Sequence, residues 1–315
     1  MPDLRPFVAS EQVLALLSQH FSTPISDLAP VEGGQVARTF AFRSDAQEYI
    51  IRFNKDTMLD SNLPKEVYLM RKFAGTTIPL PPILHVGRMG DLHFAISRKM
   101  PGQMLEALSP QEVQNLLPQM LDILADIHSI DVSDTQGCGI FGEQGKGHFL
   151  SWGDHLRMVA REEADNDYFG KWYSLFDETF LERDLYNDLY QRMSELLTYC
   201  PKDRYLIHGS LSLRNMLAQD GKITAMLDWL DASYGDFVYD IAILDFWSSW
   251  PGLREAFQEY YQQRHWELPF YRERLLCYEC HHALGALRFF AKSGHEEAYQ
   301  FTRWIILNKL DAFVS

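Results

Sequence analysis

Cysteine is scarce in this chain of 315 residues. Its four thiols, Cys138, Cys200, Cys277 and Cys280, are too few and too scattered for a disulfide framework, so a reducing compartment is expected. No apolar run approaches the length needed to span a bilayer, and no membrane partner is expected. The opening MPDLRPFVAS lacks the basic-then-apolar pattern of a secretory signal. A cytoplasmic location is the resulting expectation. Positive charge is also short: 29 Lys and Arg stand against 43 Asp and Glu, a formal net charge of −14 at pH 7. A surface of that sign repels phosphates, which argues against nucleic acid as a partner. It suits a cationic ligand by electrostatic steering, and it equally suits plain solubility. Internal repeats and low-complexity tracts are absent as well. What remains is an ordinary globular composition, 46% hydrophobic and 23% charged, long enough for a two-lobed unit with a substantial core. Composition leaves the oligomeric state open.

The most informative stretch runs from Tyr205 to Trp247. A short apolar run ends in His208-Gly209, and a polar loop leads to Asn215. Two β-type segments, NMLAQ and KITAML, then flank Asp220-Gly221, a dipeptide that favours a tight hairpin turn. Closing that hairpin brings the neighbourhoods of Asn215 and Asp228 to one end. An amide oxygen beside a carboxylate makes a hard-cation site of the kind magnesium uses with phosphates, and phosphoryl transfer is the chemistry this predicts.

The same stretch resembles the catalytic core of the aminoglycoside phosphotransferase family, roughly HGDxxxxN, a hairpin, then hDWxxAxxGDxxxDLA. The matching residues are His208, Gly209, Asn215, Asp228, Trp229, Ala232, Gly235, Asp236, Asp240, Ile241 and Ala242. IIRFN at 50–54 and GCGIFGEQGKG at 137–147 are similar to the hygromycin B phosphotransferase branch. The resemblance implies an α+β, two-lobed, protein-kinase-like fold. A small nucleotide-binding lobe with an antiparallel sheet would occupy residues 1–100. A large, mainly helical lobe would take 101–315, with a helical insert at about 148–200 and terminal helices at 252–315.

It also implies roles. ATP, with GTP left open, would donate its γ-phosphoryl group to a hydroxyl of a small, cationic, aminoglycoside-like acceptor. Gly33-Gly34 would form the glycine turn over the phosphates, although a plain turn explains the pair as well. Arg52 takes the place of the phosphate-contacting lysine of kinases. Its planar fork can grip phosphate oxygens and a carboxylate together, the carboxylate being Glu66. The run from Arg98 to Gly102, with Met100, would be the hinge whose backbone receives the adenine edge. Asn215 and Asp228 would hold Mg2+. Asp231, Glu267 and Glu279, with Asp245 and Glu273, are acidic residues able to receive ammonium groups, or simply solvated surface charges.

One position departs from the family pattern: Ser210 stands where the family carries its catalytic aspartate. A serine hydroxyl offers no charge near neutral pH and cannot take the acceptor's proton. General-base help is worth about 10²–10⁴ in rate. Three explanations stay open. The chain is a nucleotide-binding relative without turnover; or it recruits another carboxylate, Asp231 being nearest in sequence; or the serine is a deliberate substitution.

The rest of the chain is predicted in order. Residues 10–21 form an amphipathic helix begun by Ser10. LAPVEGGQVARTFAFR and EYIIRF are extended around Ser44-Asp45. NLPKEVYLMRKFAG is a helix capped by Asn62, with Gly75 past its end. IPLPPILHVGRMG links into a strand, and 94–97 is another. Ser109-Pro110-Gln111-Glu112 is a capping box opening a long helix. That helix ends in LADIHSID at 124–131, where His128 reads as a packed helix-end histidine. GCGIFGEQGKG lacks the Gly-Lys-Ser/Thr ending of a Walker motif and reads physically as a flexible connection. Residues 151–200 suggest two helices, and 252–315 three. Cys277-Tyr-Glu-Cys280-His281 spells a haem-attachment pattern that a cytoplasmic helix makes coincidental. His281 and His282 are adjacent and do not face one zinc site. Asp236 and Asp240 are expected to brace the loop and cap the following helix rather than enter the chemistry.

Overall fold

A computed structural model describes residues 5–32, 37–55, 62–162, 168–248 and 250–314. The elements in chain order are α1 (Ser10–His20), β1 (Ile25–Pro30), β2 (Arg38–Ser44), β3 (Gln47–Lys55), α2 (Asn62–Lys72), β4 (Ile83–Met89), β5 (Leu92–Arg98) and β6 (Gln103–Met104). There follow α3 (Pro110–His128), β7 (Cys138–Phe141), β8 (Gly147–Phe149), α4 (Trp152–Arg157), α5 (Leu175–Glu178), α6 (Arg183–Leu196) and β9 (Tyr205–Ile207). The last are β10 (Met216–Gln219), β11 (Lys222–Met226), β12 (Ser233–Gly235), α7 (Val238–Ser248), α8 (Leu253–Gln263), α9 (Tyr271–Ser293) and α10 (Glu296–Val314). By compactness the chain divides into two units. One comprises residues 1–116, 142–145 and 214–230; the other comprises 117–141, 146–213 and 231–315.

The first unit is built on an antiparallel sheet of order β1-β2-β3-β5-β4. Side chains alternate across a strand, so Ile51 and Phe53 of β3 enter the core while Arg52 faces the other side. That core joins Phe40, Phe42, Phe94 and Ile96 to Val13, Leu16 and Leu17 of α1. Each such side chain contributes about 1.5–3 kcal/mol of burial. Helix α1 begins at Ser10, as read from the sequence. Ala9 holds the cap position, and its N–H donates to the Gln12 side chain at 3.1 Å. The stretch predicted as one extended segment splits into β1 and β2; Gly33 and Gly34, between them, lie outside the described residues. The side chain of Asn62 lies outside them too, and Gly75 follows α2 with φ +84°. The capping box at α3 is formed: Ser109 N–H donates to the Glu112 carboxylate at 2.9 Å.

The hairpin of β10 and β11 also belongs to this unit, with β6 on its edge. Asp220 and Gly221 have φ of 51° and 72°, the two positive values that a two-residue type I′ turn demands.

The second unit is mainly helical around a small sheet of order β8-β7-β12-β9. Residues 238–246 of α7 are buried without a polar face, which makes this helix the centre of the unit. Helix α9 packs on α6, α7 and α10. Two sequence expectations change here. The GCGIFGEQGKG stretch is a β7–β8 hairpin rather than a flexible connection. Residues 151–200 are short helical pieces, α4 and α5, followed by the longer α6, rather than a helical pair. The three terminal helices are present as α8, α9 and α10. Among the described residues, no helix is long and apolar enough to cross a membrane.

Candidate active site

In the first unit, β3 and α2 bring Arg52 and Glu66 into an ion pair. The Glu66 charge raises the Arg52 pKa above its ordinary value against the opposing effect of burial, and the Asp228 carboxylate adds to the rise. Arg52, Glu66 and Asp228 therefore share one electrostatic neighbourhood. The hairpin supplies the other partner. Met216 pairs with Met226, and Leu227 N–H donates to the Asn215 carbonyl at 2.8 Å. Asn215 and Asp228 thus stand at the same end of the hairpin.

The chain turns sharply at this point. Asp228 has φ 60°, a left-handed conformation that non-glycine residues seldom adopt. Several contacts fix the turn. The Trp229 indole N–H donates to the Met226 carbonyl at 3.1 Å, and its ring meets Phe73 at 5.0 Å between centroids. The Lys65 ammonium donates to the Leu230 carbonyl at 2.6 Å. Among the described residues, no group of three or more His, Cys, Asp or Glu side chains could hold a metal by itself. An amide and a carboxylate do fit magnesium, which keeps waters and is commonly held by one or two carboxylates plus substrate phosphates.

The expected hinge is partly occupied by the protein itself. The Arg98 N–H donates to Pro82 at 3.0 Å and the Lys99 N–H to Glu48 at 3.0 Å. The Arg98 N–H is therefore already used within the protein. Among the described residues no protein group takes up the Met100 N–H.

In the second unit, Asp240 of α7 organises the loop at His208–Ser210. Its carboxylate accepts the N–H groups of His208 and Gly209, both at 2.8 Å, and pairs with His128 Nε2 at 3.0 Å. His128 Nδ1 lies 2.6 Å from the Tyr261 hydroxyl. With Nε2 donating to the carboxylate, Nδ1 accepts from the tyrosine. Burial pushes the Asp240 carboxyl up. The His128 hydrogen bond, the electrostatic influence of the neighbouring His128 and His208 rings and the Gly209 N–H outweigh it and hold the pKa below its ordinary value. His128 is the packed helix-end histidine predicted from the sequence, and Asp240 braces the loop. Asp236 also braces, binding Arg274 at 2.5 and 2.8 Å, the Tyr278 hydroxyl at 2.5 Å and the Val238 N–H at 3.1 Å.

Gly209 has φ 79°, and a Cβ there would sit 2.0 Å from the Asp231 carbonyl oxygen. Ser210, half-buried, donates its N–H to His208 Nδ1 at 3.3 Å. The Asp231 Cβ would lie 3.3 Å from the same added atom, so this carboxylate-bearing residue packs directly on Gly209. Glu267 is exposed in the α8–α9 connection. Glu279 must be removed from the acceptor-binding residues. It is 1% exposed and paired with Arg254 and with Lys309 at 2.8 Å, so it has no charge to offer a ligand. Asp245 is committed to the same two cations, at 2.6 and 2.7 Å. Cys277 and Cys280 are free thiols buried within α9, and His281 Nδ1 meets the Tyr239 hydroxyl at 3.1 Å.

Comparison with known proteins decides the family. Residues 27–274 match the phosphotransferase enzyme family. The chain belongs to the aminoglycoside phosphotransferases. Hygromycin-B 4-O-kinase of Escherichia coli is 30% identical over 268 residues, covering 84% of this chain and 74% of that protein. A thermostable mutant of aminoglycoside phosphotransferase APH(4)-Ia, crystallised with ADP and hygromycin B, is 28% identical. It superposes with a TM-score of 0.78 over 96% of this chain and 97% of its own. Spectinomycin phosphotransferase APH(9)-Ia, at 12% identity, shares the fold, with a TM-score of 0.65 over 97% of this chain and 98% of its own. The two-lobed kinase-like architecture read from the sequence is thus the architecture of this phosphotransferase.

Sequence reasoning missed two residues that hold these clusters in place. Lys65 carries no motif, and its only mark is its place beside Glu66. Tyr261 lies in the amphipathic pattern of α8, where nothing separates it from an ordinary core aromatic.

Proposed function

We propose that this phosphotransferase moves the γ-phosphoryl group of ATP to a hydroxyl of a hygromycin-like aminoglycoside. In this reading Asn215 and Asp228 are the ligands of a magnesium ion, which when bound neutralises charge on the nucleotide phosphates. Arg52 grips phosphate oxygens with its guanidinium, and Glu66 keeps that fork oriented. The Met100 backbone N–H serves the adenine. Asp231 and Glu267 are the acidic residues on the acceptor side. The carrying observation is the hairpin that returns Asn215 and Asp228 to one end, within the electrostatic reach of Arg52. The relatives' complexes with ADP and with hygromycin B support the choice of donor and acceptor. A cytoplasmic enzyme is the setting this reading assumes.

Ser210 favours a second reading, a protein that binds nucleotide without turnover. A neutral hydroxyl cannot take the acceptor proton, and Asp231 beside Gly209 is the carboxylate left to do so. The test pairs an ADP-release assay across an aminoglycoside panel with ATP-induced thermal shifts measured with and without magnesium. Slow, hygromycin-dependent ADP release is expected, with GTP as competitor reporting the choice of nucleotide. Magnesium-dependent stabilisation with no release for any acceptor would select the second reading. No nucleotide binding would refute both.

A further inference from the structure

Lys65 is only 2% exposed. A buried ammonium is costly unless it is paired or hydrogen-bonded, and an apolar residue would fill the same place in α2 at less cost. Its Nζ reaches the Leu230 carbonyl, 2.6 Å away and two residues beyond Asp228. Asp228 itself has a left-handed backbone, φ 60°. The next residue of α2, Glu66, is the counterion of Arg52, whose pKa in turn registers the Asp228 charge. Helix α2 therefore acts on the cluster twice, with a carboxylate that steers Arg52 and an ammonium that fastens the chain after Asp228. Phe73, just past the end of α2, adds an apolar contact to Trp229.

From this geometry we propose that Lys65 is a positioning residue. It holds the Asp228 turn against α2, so that the metal ligand and the Arg52–Glu66 pair keep one relative geometry. The inference rests on the nucleotide-and-magnesium reading above, and it concerns metal-dependent affinity rather than contact with the nucleotide. Groups that orient metal ligands without touching the metal typically affect affinity by about 10–100-fold.

The test is calorimetric titration of the full chain with ADP, in the presence and absence of magnesium chloride, for wild type, K65M and K65R. K65M is expected to lose about tenfold or more of the affinity gained from magnesium, while ADP affinity without magnesium changes little. K65R, which keeps a charged donor, is expected to recover most of the gain. An undiminished magnesium gain in K65M, or an equal loss with and without magnesium, would overturn the proposal. If K65M shows no cooperative melt, K65Q takes its place, keeping a donor without the charge. A partial loss of the gain supports the assignment and an unchanged gain refutes it. A wild-type chain that gains nothing from magnesium would instead refute the parent reading, a result distinct from loss in the variants alone.

Discussion

At position 210 a single substitution separates the two functional readings. S210D is expected to raise kcat by about 10²–10⁴, with the KM for ATP nearly unchanged, as followed by ADP release. Unchanged turnover would mean that another group already takes the proton. The residue before it tolerates no such freedom. G209A would drive a methyl group into the Asp231 carbonyl at 2.0 Å with φ already at 79°, and loss of a cooperative thermal transition is the expected outcome. His208, Gly209, Asn215 and Asp228 were legible in the sequence because their spacing is local and chemical. The partners that hold them were not. Lys65 meets Leu230 across 165 positions and His128 meets Tyr261 across 133. No local pattern reports contacts of that range.

Among the elements, the β10–β11 hairpin was legible because turn chemistry is written in the dipeptide Asp220-Gly221. At Gly221, φ is 72° and an added Cβ would meet nothing within 4 Å. The cost of G221A is therefore one of backbone conformation alone, expected at about 1 kcal/mol in urea unfolding. The cap of α3 is similar, and S109A is expected to cost about 1 kcal/mol. The β7–β8 hairpin escaped the sequence for the opposite reason. Its strands have four and three residues, too few to show an alternating pattern. The space between it and α6 misled too, since the four residues of α5 carry no helical period.

Across the whole molecule, acid stability follows from two neighbouring histidines. Burial lowers the His282 pKa to about 4, and its Nε2 accepts the Trp247 indole N–H, which a protonated ring could not do. Burial first, then the charges of His155, His282 and Arg288, hold His281 well below its ordinary value. A histidine with a depressed folded pKa lends stability above its unfolded value of about 6.5 and loses it as pH falls. The melting temperature is expected to decline on acidification from about pH 6.5 toward 4. H282Q, which keeps an acceptor but does not titrate, should flatten that slope in scanning calorimetry. Asp240, held below its ordinary value, acts in a lower window and leaves this one to the histidines. The division of the chain near residue 100 follows sequence order, whereas compactness gathers 214–230 with the N-terminal residues.

The four charges of Asp245, Arg254, Glu279 and Lys309 bear on how the protein is handled. Lys309 comes from α10, the last helix, yet it neutralises carboxylates from α7 and α9. Ending the chain just before it would leave Asp245 and Glu279 sharing Arg254 alone, two anions facing one cation in a dry setting, where an unmatched charge is most destabilising. Fusion partners and tags therefore belong beyond α10, with that helix kept whole.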